Sequence, residues 1–280
     1  MNVGDYEIEV ISGGRYRLDG GSMFGIIPRP LWERILKPDE RNRIELDTCC
    51  LLVRTGEQNI LIETGCGDKF SEKEQEIFAF ESGVTIESSL ENRGVPAEDI
   101  DLVILTHLHF DHAGGGTKLD ASGSPAPTFP KATYVAHSGE WKDASENFGI
   151  MKTTYRPENL QPLDDSGNLQ FIDGETEIAP GIRSIVTGGH TRHHLALLIE
   201  SGGEKLFFTG DLIPTRHHLR GPYVMAYDLF PYDTMTQKLA LLSRAESEGW
   251  YVVWSHEPHW RMASIQKTDW GEFTAEKIPS

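Results

Sequence analysis

The chain has 280 residues, 38% hydrophobic and 25% charged, a balance that suits a globular protein and excludes a disordered or membrane-embedded one. Its 26 Lys+Arg against 43 Asp+Glu give a net charge of −17 at pH 7, which argues against nucleic-acid and anionic-membrane partners, because both are bound through Lys and Arg. Cys49, Cys50 and Cys66 are odd in number and two are adjacent, so a disulfide scaffold is excluded.

The first residues, MNVGDYEIEVISGG, carry no basic segment and no long apolar run, so no signal peptide is expected. No stretch approaches the 18 or so apolar residues of a membrane span. A cytoplasmic location is the expectation. Alternation over Tyr6–Ser12 and Arg15–Leu18 predicts a hairpin that turns at Gly13-Gly14. The Gly/Pro-rich segment LDGGSMFGIIPRPLW (18–32) predicts an apolar loop. Strands are predicted at Ile44–Val53 and Asn59–Ile62 around a turn at Gly56. Residues 68–100 read as a polar, largely helical stretch ending in Gly94-Val95-Pro96. The run DLVIL (101–105) predicts a short buried strand.

A Gly/Ser/Pro-rich loop is predicted for 113–130, then a strand at Ala132–Ala136 and a short helix from Ser138. Residues 145–168 are polar and show little pattern. Strands follow at Leu169–Ile172, Ile182–Val186, Leu195–Ile199 and Lys205–Thr209. Met235, Leu239, Leu242 and Ala245 have helical spacing within 234–248, and Tyr251–Trp254 is a last buried strand. No repeat or linker divides the chain, so residues 1–280 are expected to form one layered α/β domain.

The 11 histidines are unusual in number, and four candidate ligands crowd into Thr106-His107-Leu108-His109-Phe110-Asp111-His112, directly after DLVIL. His107 and His109 alternate on an extended backbone, while Asp111 and His112 follow from the bend. Packing so many titratable groups together has little structural use. Imidazole and carboxylate together suit zinc, and also manganese, iron or cobalt. Gly114, Gly115 and Gly116 would let the backbone pass close to the metals. Further candidates stand after later predicted strands: His190, Asp211 and His256. Chemistry on loops at one sheet edge is the usual arrangement of open α/β folds.

THLHFDH, TGGH, FTGD and SHEP, in that order, resemble the metallo-β-lactamase superfamily. The resemblance implies a four-layer αββα sandwich and two divalent transition-metal ions at one rim. Carried over by residue, His107, His109 and His190 hold the first ion, Asp111, His112 and His256 the second, and Asp211 bridges them. The family's strand-turn signature usually has Asp where LIETGCG places Glu63, so support of the metal loop by this residue is an open point. Cys66, in the same turn, reads as a plain buried thiol.

Two ions about 3.5–4 Å apart generate a hydroxide nucleophile and polarise a carbonyl or phosphoryl oxygen. Asp111 can also shuttle a proton to the leaving group. The early LDGGSMFGIIPRPLW segment, TKL, TGGH and MAYDLFPYDT resemble the quorum-quenching N-acyl homoserine lactonase-like branch, a bacillus-type group of probable lactonases. That implies opening of lactone rings on a small-molecule substrate with an apolar chain. Met23 and Phe24 are candidates for the chain pocket. Tyr223 is a candidate donor to the oxyanion, because Pro214 stands where a lactonase of that branch has Tyr. His137, His193, His194, His217, His218 and His259 read as supporting or surface residues. A phosphotriesterase or thioesterase on the same scaffold stays open, as does a non-catalytic metal-binding protein. Oligomeric state, including a homodimer, is also open.

Overall fold

Continuous apolar runs bounded by polar turns become the inner strands of two seven-stranded sheets in the computed structural model, which describes residues 1–146 and 153–278. The chain divides into two compact units, Met1–Arg15 with Asp47–Gly174 and Tyr16–Leu46 with Glu175–Ser280.

The first sheet has the order β1 (Asn2–Val3), β2 (Tyr6–Asp19), β3 (Arg43–Arg54), β4 (Asn59–Ile62), β5 (Leu102–Ile104), β8 (Thr133–His137), β9 (Leu169–Ile172). The intervening β6 (Thr117–Leu119) and β7 (Pro125–Pro127) form a separate ribbon. β3 and β4 are antiparallel across the Gly56 turn, while β4, β5, β8 and β9 run parallel. Parallel strands buried on both faces need apolar residues at successive positions, and Ile60–Ile62 and Leu102–Ile104 supply them. In the first unit Leu52, Leu61, Val103 and Tyr134 pack with Leu90 of α4 (Ile86–Glu91) and Leu163 of α7 (Pro157–Asp165). α3 (Glu72–Phe78) and α4 start on reciprocal caps, Ser71/Glu74 and Thr85/Ser88.

The second unit takes the ends of β2 and β3 nearest residues 16–46. It also holds the short helices α1 (Gly20–Phe24) and α2 (Arg29–Trp32) and the second sheet. That sheet has the order β10 (Glu177–Ala179), β11 (Ile182–Val186), β12 (Leu195–Ser201), β13 (Glu204–Phe208), β14 (Tyr251–Val253), β15 (Met262–Lys267), β16 (Phe273–Lys277). Only β13 and β14 pair in parallel, because α8 (Pro231–Glu248) carries the chain back between them. Leu241, Leu242 and Ala245 of α8 bury against Phe207, Trp250, Val252 and Trp254. Each such Leu, Val or Phe side chain contributes about 1.5–3 kcal/mol. Two antiparallel steps separate β11 from β13, so β11, β13 and β14 all deliver their C-terminal loops to one edge of this sheet.

Most predicted elements appear within a residue or two of their expected bounds. The hairpin at Gly13-Gly14 does not form: β2 runs unbroken from Tyr6 to Asp19. A Cβ on Gly13 would sit 2.7 Å from the Gly65 Cα and 2.8 Å from the Cys50 Sγ, so this glycine serves a close approach rather than a turn. The stretch 145–168 contains α7, started by Pro157; residues 147–152 of it lie outside the described residues. Tyr251–Val253 is not the last strand, since β15 and β16 follow. No helix among the described residues is long and apolar enough to cross a membrane.

Candidate metal centre

In the first unit β5 runs directly into Thr106–His112, and α5 (Phe110–Ala113) turns the chain back. His107, His109, Asp111 and His112 are all buried. One donor atom of His107 lies within 4.8 Å of a donor atom on His109 and of one on His112, as do donor atoms of Asp111 and His112. The Glu63 carboxylate holds this loop. Its Oε1 accepts the Thr106 N–H (2.7 Å) and its Oε2 faces the His112 Nδ1 (2.9 Å). The pairing puts the proton on Nδ1 and leaves the Nε2 lone pair for a cation. Glu63 occupies the left-handed region at φ 66°, which costs about 1–3 kcal/mol in a residue other than glycine. The longer carboxylate therefore performs the supporting role.

Glu140 supports the other side of the loop, its Oε1 accepting from the Leu108 N–H (3.2 Å) and the Tyr155 hydroxyl (2.9 Å). Burial beside Glu140 raises the Tyr155 phenol, which stays a donor, and its ring lies 5.2 Å from that of His109. Lys69 closes the turn behind α5 by donating to the carbonyls of Gly114 (2.6 Å) and Thr117. A Cβ on Gly114 would meet the Cys66 carbonyl oxygen at 2.1 Å and one on Gly115 that of Thr64 at 2.1 Å. These two glycines let two backbones touch, and that contact aligns the ligand loop with the Glu63 turn.

The second unit brings together His190, Asp211 and His256 from the loops after β11, β13 and β14, all buried. Asp211 divides its oxygens between the two rings, with Oδ2 3.2 Å from the His190 Nε2 and Oδ1 2.9 Å from the His256 Nε2. Each ring is fixed from behind. Asp228 Oδ1 faces the His190 Nδ1 at 2.9 Å, and the Tyr16 hydroxyl lies 3.4 Å from the His256 Nδ1. With the His190 proton on Nδ1, its Nε2 lone pair and the Asp211 oxygen are both acceptors, and a cation shared between them relieves the repulsion. Asp211 is held in turn. Ser255 donates to its Oδ1 (2.8 Å), and its N–H donates to the His194 Nε2 (2.9 Å). That bond places the His194 proton on Nδ1, donated to the Thr187 Oγ1 at 2.6 Å. Imidazole and carboxylate donors, with no thiolate among them, fit Zn²⁺ or another borderline divalent ion in each half-site.

The metallo-β-lactamase superfamily model matches residues 44–256, most of the chain. The chain belongs to the metallo-β-lactamase superfamily of metallo-hydrolases. A probable metal-dependent hydrolase from Staphylococcus aureus is similar over 100% of both chains, at 32% identity and a TM-score of 0.89. AidC, a dizinc quorum-quenching lactonase solved with the product N-hexanoyl-L-homoserine, shares the fold at a TM-score of 0.79. It is 21% identical, over 100% of this chain and 97% of its own. An N-acyl homoserine lactonase of Bacillus sp. is 29% identical over 168 residues, 56% of this chain, and the match spans 60% of that enzyme's length.

Other residues singled out in the sequence lie elsewhere in this metallo-β-lactamase fold. Met23 and Phe24 are buried in the second unit, and the Phe24 ring stacks on Trp32 (5.6 Å) and His218 (4.9 Å). The same segment exposes Ile26. Tyr223 sets its ring edge-on to Phe24 at 6.1 Å. His218 bonds Thr215 and the Met23 carbonyl, and burial pushes its pKa down to about 3. The Cys66 thiol is raised by burial and stays neutral, a poor ligand. Glu140, Asp228, Tyr16 and Ser255 escaped the sequence reading. Asp228 and Ser255 stood inside quoted motifs, MAYDLFPYDT and SHEP, without a role assigned to them.

Proposed function

We propose that the two half-sites hold two divalent ions and that the chain opens the ring of lactones carrying an apolar acyl chain, N-acyl homoserine lactones above all. His107, His109 and His190 would take one ion, Asp111, His112 and His256 the other, and Asp211 would serve both. The observation that carries this reading is the Asp211 carboxylate, which offers one oxygen toward each of two imidazoles whose far nitrogens are engaged elsewhere. A closed structural zinc site needs four ligands, often thiolates, and this set exceeds it.

When bound, the ions supply Lewis acidity at the carbonyl oxygen and lower the pKa of water to near neutrality. The Asp111 carboxylate takes a proton from the attacking water and returns it to the ring oxygen as the C–O bond breaks. An aromatic cluster lies beside His109 and Asp111 in the first unit, with the Arg156 guanidinium over its Phe70 (4.6 Å) and Phe110 (5.5 Å) rings. Phe110, between His109 and Asp111, packs against Phe78 (5.2 Å) and Phe70 (5.9 Å), with Phe80 4.3 Å from Phe70. Phe70, Phe78 and Phe80 are half-buried, and this cluster stands beside Met23 and Phe24 as a candidate seat for the acyl chain.

The test is pH-stat hydrolysis of an acyl homoserine lactone series beside a phosphotriester and a thioester. Turnover of lactones supports the proposal, with kcat/KM rising as chains lengthen by about 0.8 kcal/mol per buried CH₂ until the surface is full. Turnover of only the phosphotriester or thioester leaves the hydrolase scaffold and refutes the lactonase. Full metal loading with no turnover of any of them returns the chain to the metal-binding proteins.

A further inference from the structure

The second unit hides a lysine that the chemistry above does not use. Lys238 of α8 has no exposed surface. Its Nζ donates to the carbonyls of Arg220 (2.9 Å) and Tyr223 (2.7 Å). These residues close a turn through the Tyr223 N–H to the Arg220 carbonyl, 3.0 Å. The chain then runs five residues to Asp228, whose Oδ2 accepts the Met225 N–H (3.1 Å) while its Oδ1 faces His190. Leu229 and Phe230 continue by donating to the carbonyls of His190 and Gly189. The same short loop is thus fastened at one end by Lys238 and at the other against the His190 ring.

We propose that Lys238 is a positioning residue for the metal centre, holding the Arg220–Asp228 loop so that Asp228 fixes His190 in its ligating tautomer. The assignment rests on the metal reading of His190 given above. An amine with two carbonyl partners needs only two N–H groups, which the neutral form supplies. Asp228 on the loop and His218 on the preceding turn are the titratable groups facing it. Burial outweighs the attraction of Asp228 and pushes the amine from its ordinary 10.5 down to about 7. Between these values the unfolded chain binds a proton that the folded chain does not. Stability therefore rises with pH across that window, and this contribution disappears with the amine.

The experiment compares the parent with Lys238→Met and Lys238→Gln. Zinc affinity is measured by competition with a chromophoric chelator, the ligand field by cobalt(II) absorption, and metal-free stability by urea unfolding from pH 6 to 10. The expected result is a loss of about 10-fold or more in affinity for one of two ions, an altered cobalt(II) spectrum, and a flatter pH dependence of stability. Variants that lose stability yet keep parental zinc affinity and cobalt(II) spectrum overturn the assignment and leave Lys238 as packing. If neither variant folds, NMR titration of the parent labelled at the lysine ε-carbons decides. A Lys238 signal that titrates near 10.5 refutes the buried staple, and one near 7 supports it. A parent that binds no second ion refutes the metal reading first, and the lysine's role with it.

Discussion

Replacing Glu63 by Gln keeps the size of the side chain and changes one thing, the sign of one hydrogen bond. In the parent, both oxygens accept, one from the Thr106 N–H and one from the His112 Nδ1. The Gln amide retains one oxygen. If that oxygen stays on Thr106, the NH₂ faces His112 and demands an acceptor at Nδ1. The imidazole proton then moves to Nε2, the atom that must hold the ion. If the amide flips, its NH₂ points at the Thr106 N–H and the ligand loop loses its anchor. Either outcome removes one charge-assisted bond from a buried ligand. Loss of such a partner costs 10- to 100-fold in metal affinity, or about 1.4–2.7 kcal/mol. We expect this loss on one of two ions in a zinc competition titration, with ¹⁵N NMR of the metal-free protein showing His112 protonated at Nε2. Parental affinity together with an Nδ1-protonated His112 would refute the reasoning.

Asp211→Asn removes the carboxylate shared by His190 and His256; it should lose one metal equivalent and lower kcat by at least about 10²-fold, measured by elemental analysis and lactone turnover. Phe24→Ala empties a fully buried stack and should cost about 3–5 kcal/mol in urea unfolding, while leaving the chain-length dependence of kcat/KM unchanged; a flattened dependence would restore Phe24 to the pocket. Tyr223→Phe should change kcat less than about threefold, against the 10²-fold or more that loss of an oxyanion donor brings. His218 is held down to about 3 by burial, so the unfolded chain binds its proton from about 6.5 downward and the folded chain does not. Stability should fall as pH drops through that window, and His218→Gln should show a shallower acid slope in urea titrations.

Where a residue's role follows from its own chemistry and local spacing, the sequence was readable. DLVIL had to be a buried strand, and THLHFDH after it had to be a site, because no packed core tolerates that many ionisable groups without a partner. Most partnerships across sequence distance could not be paired from the sequence, Glu63 with the metal loop being the one raised there. Glu140 lies 32 residues from the Leu108 amide it accepts, and Asp228 lies 38 residues from His190. Gly13-Gly14 misled because a glycine pair has two physical uses, a turn or a close backbone approach, and only the fold chooses between them. Apolar residues among glycines and prolines fit a pocket wall and a plugged core equally well, so the sequence alone does not choose between these uses for Met23 and Phe24, whose segment packs Phe24 on His218. The candidate ligand order His107 to His256 came from family resemblance.

The most direct test of the proposed binuclear hydrolase is a titration. Metal-free protein is loaded stepwise with zinc, and ring opening of an N-acyl homoserine lactone is followed in a pH-stat at each step. The account predicts activity that climbs to a plateau at two equivalents per chain. A plateau at one equivalent, or no ring opening at any loading, would contradict it.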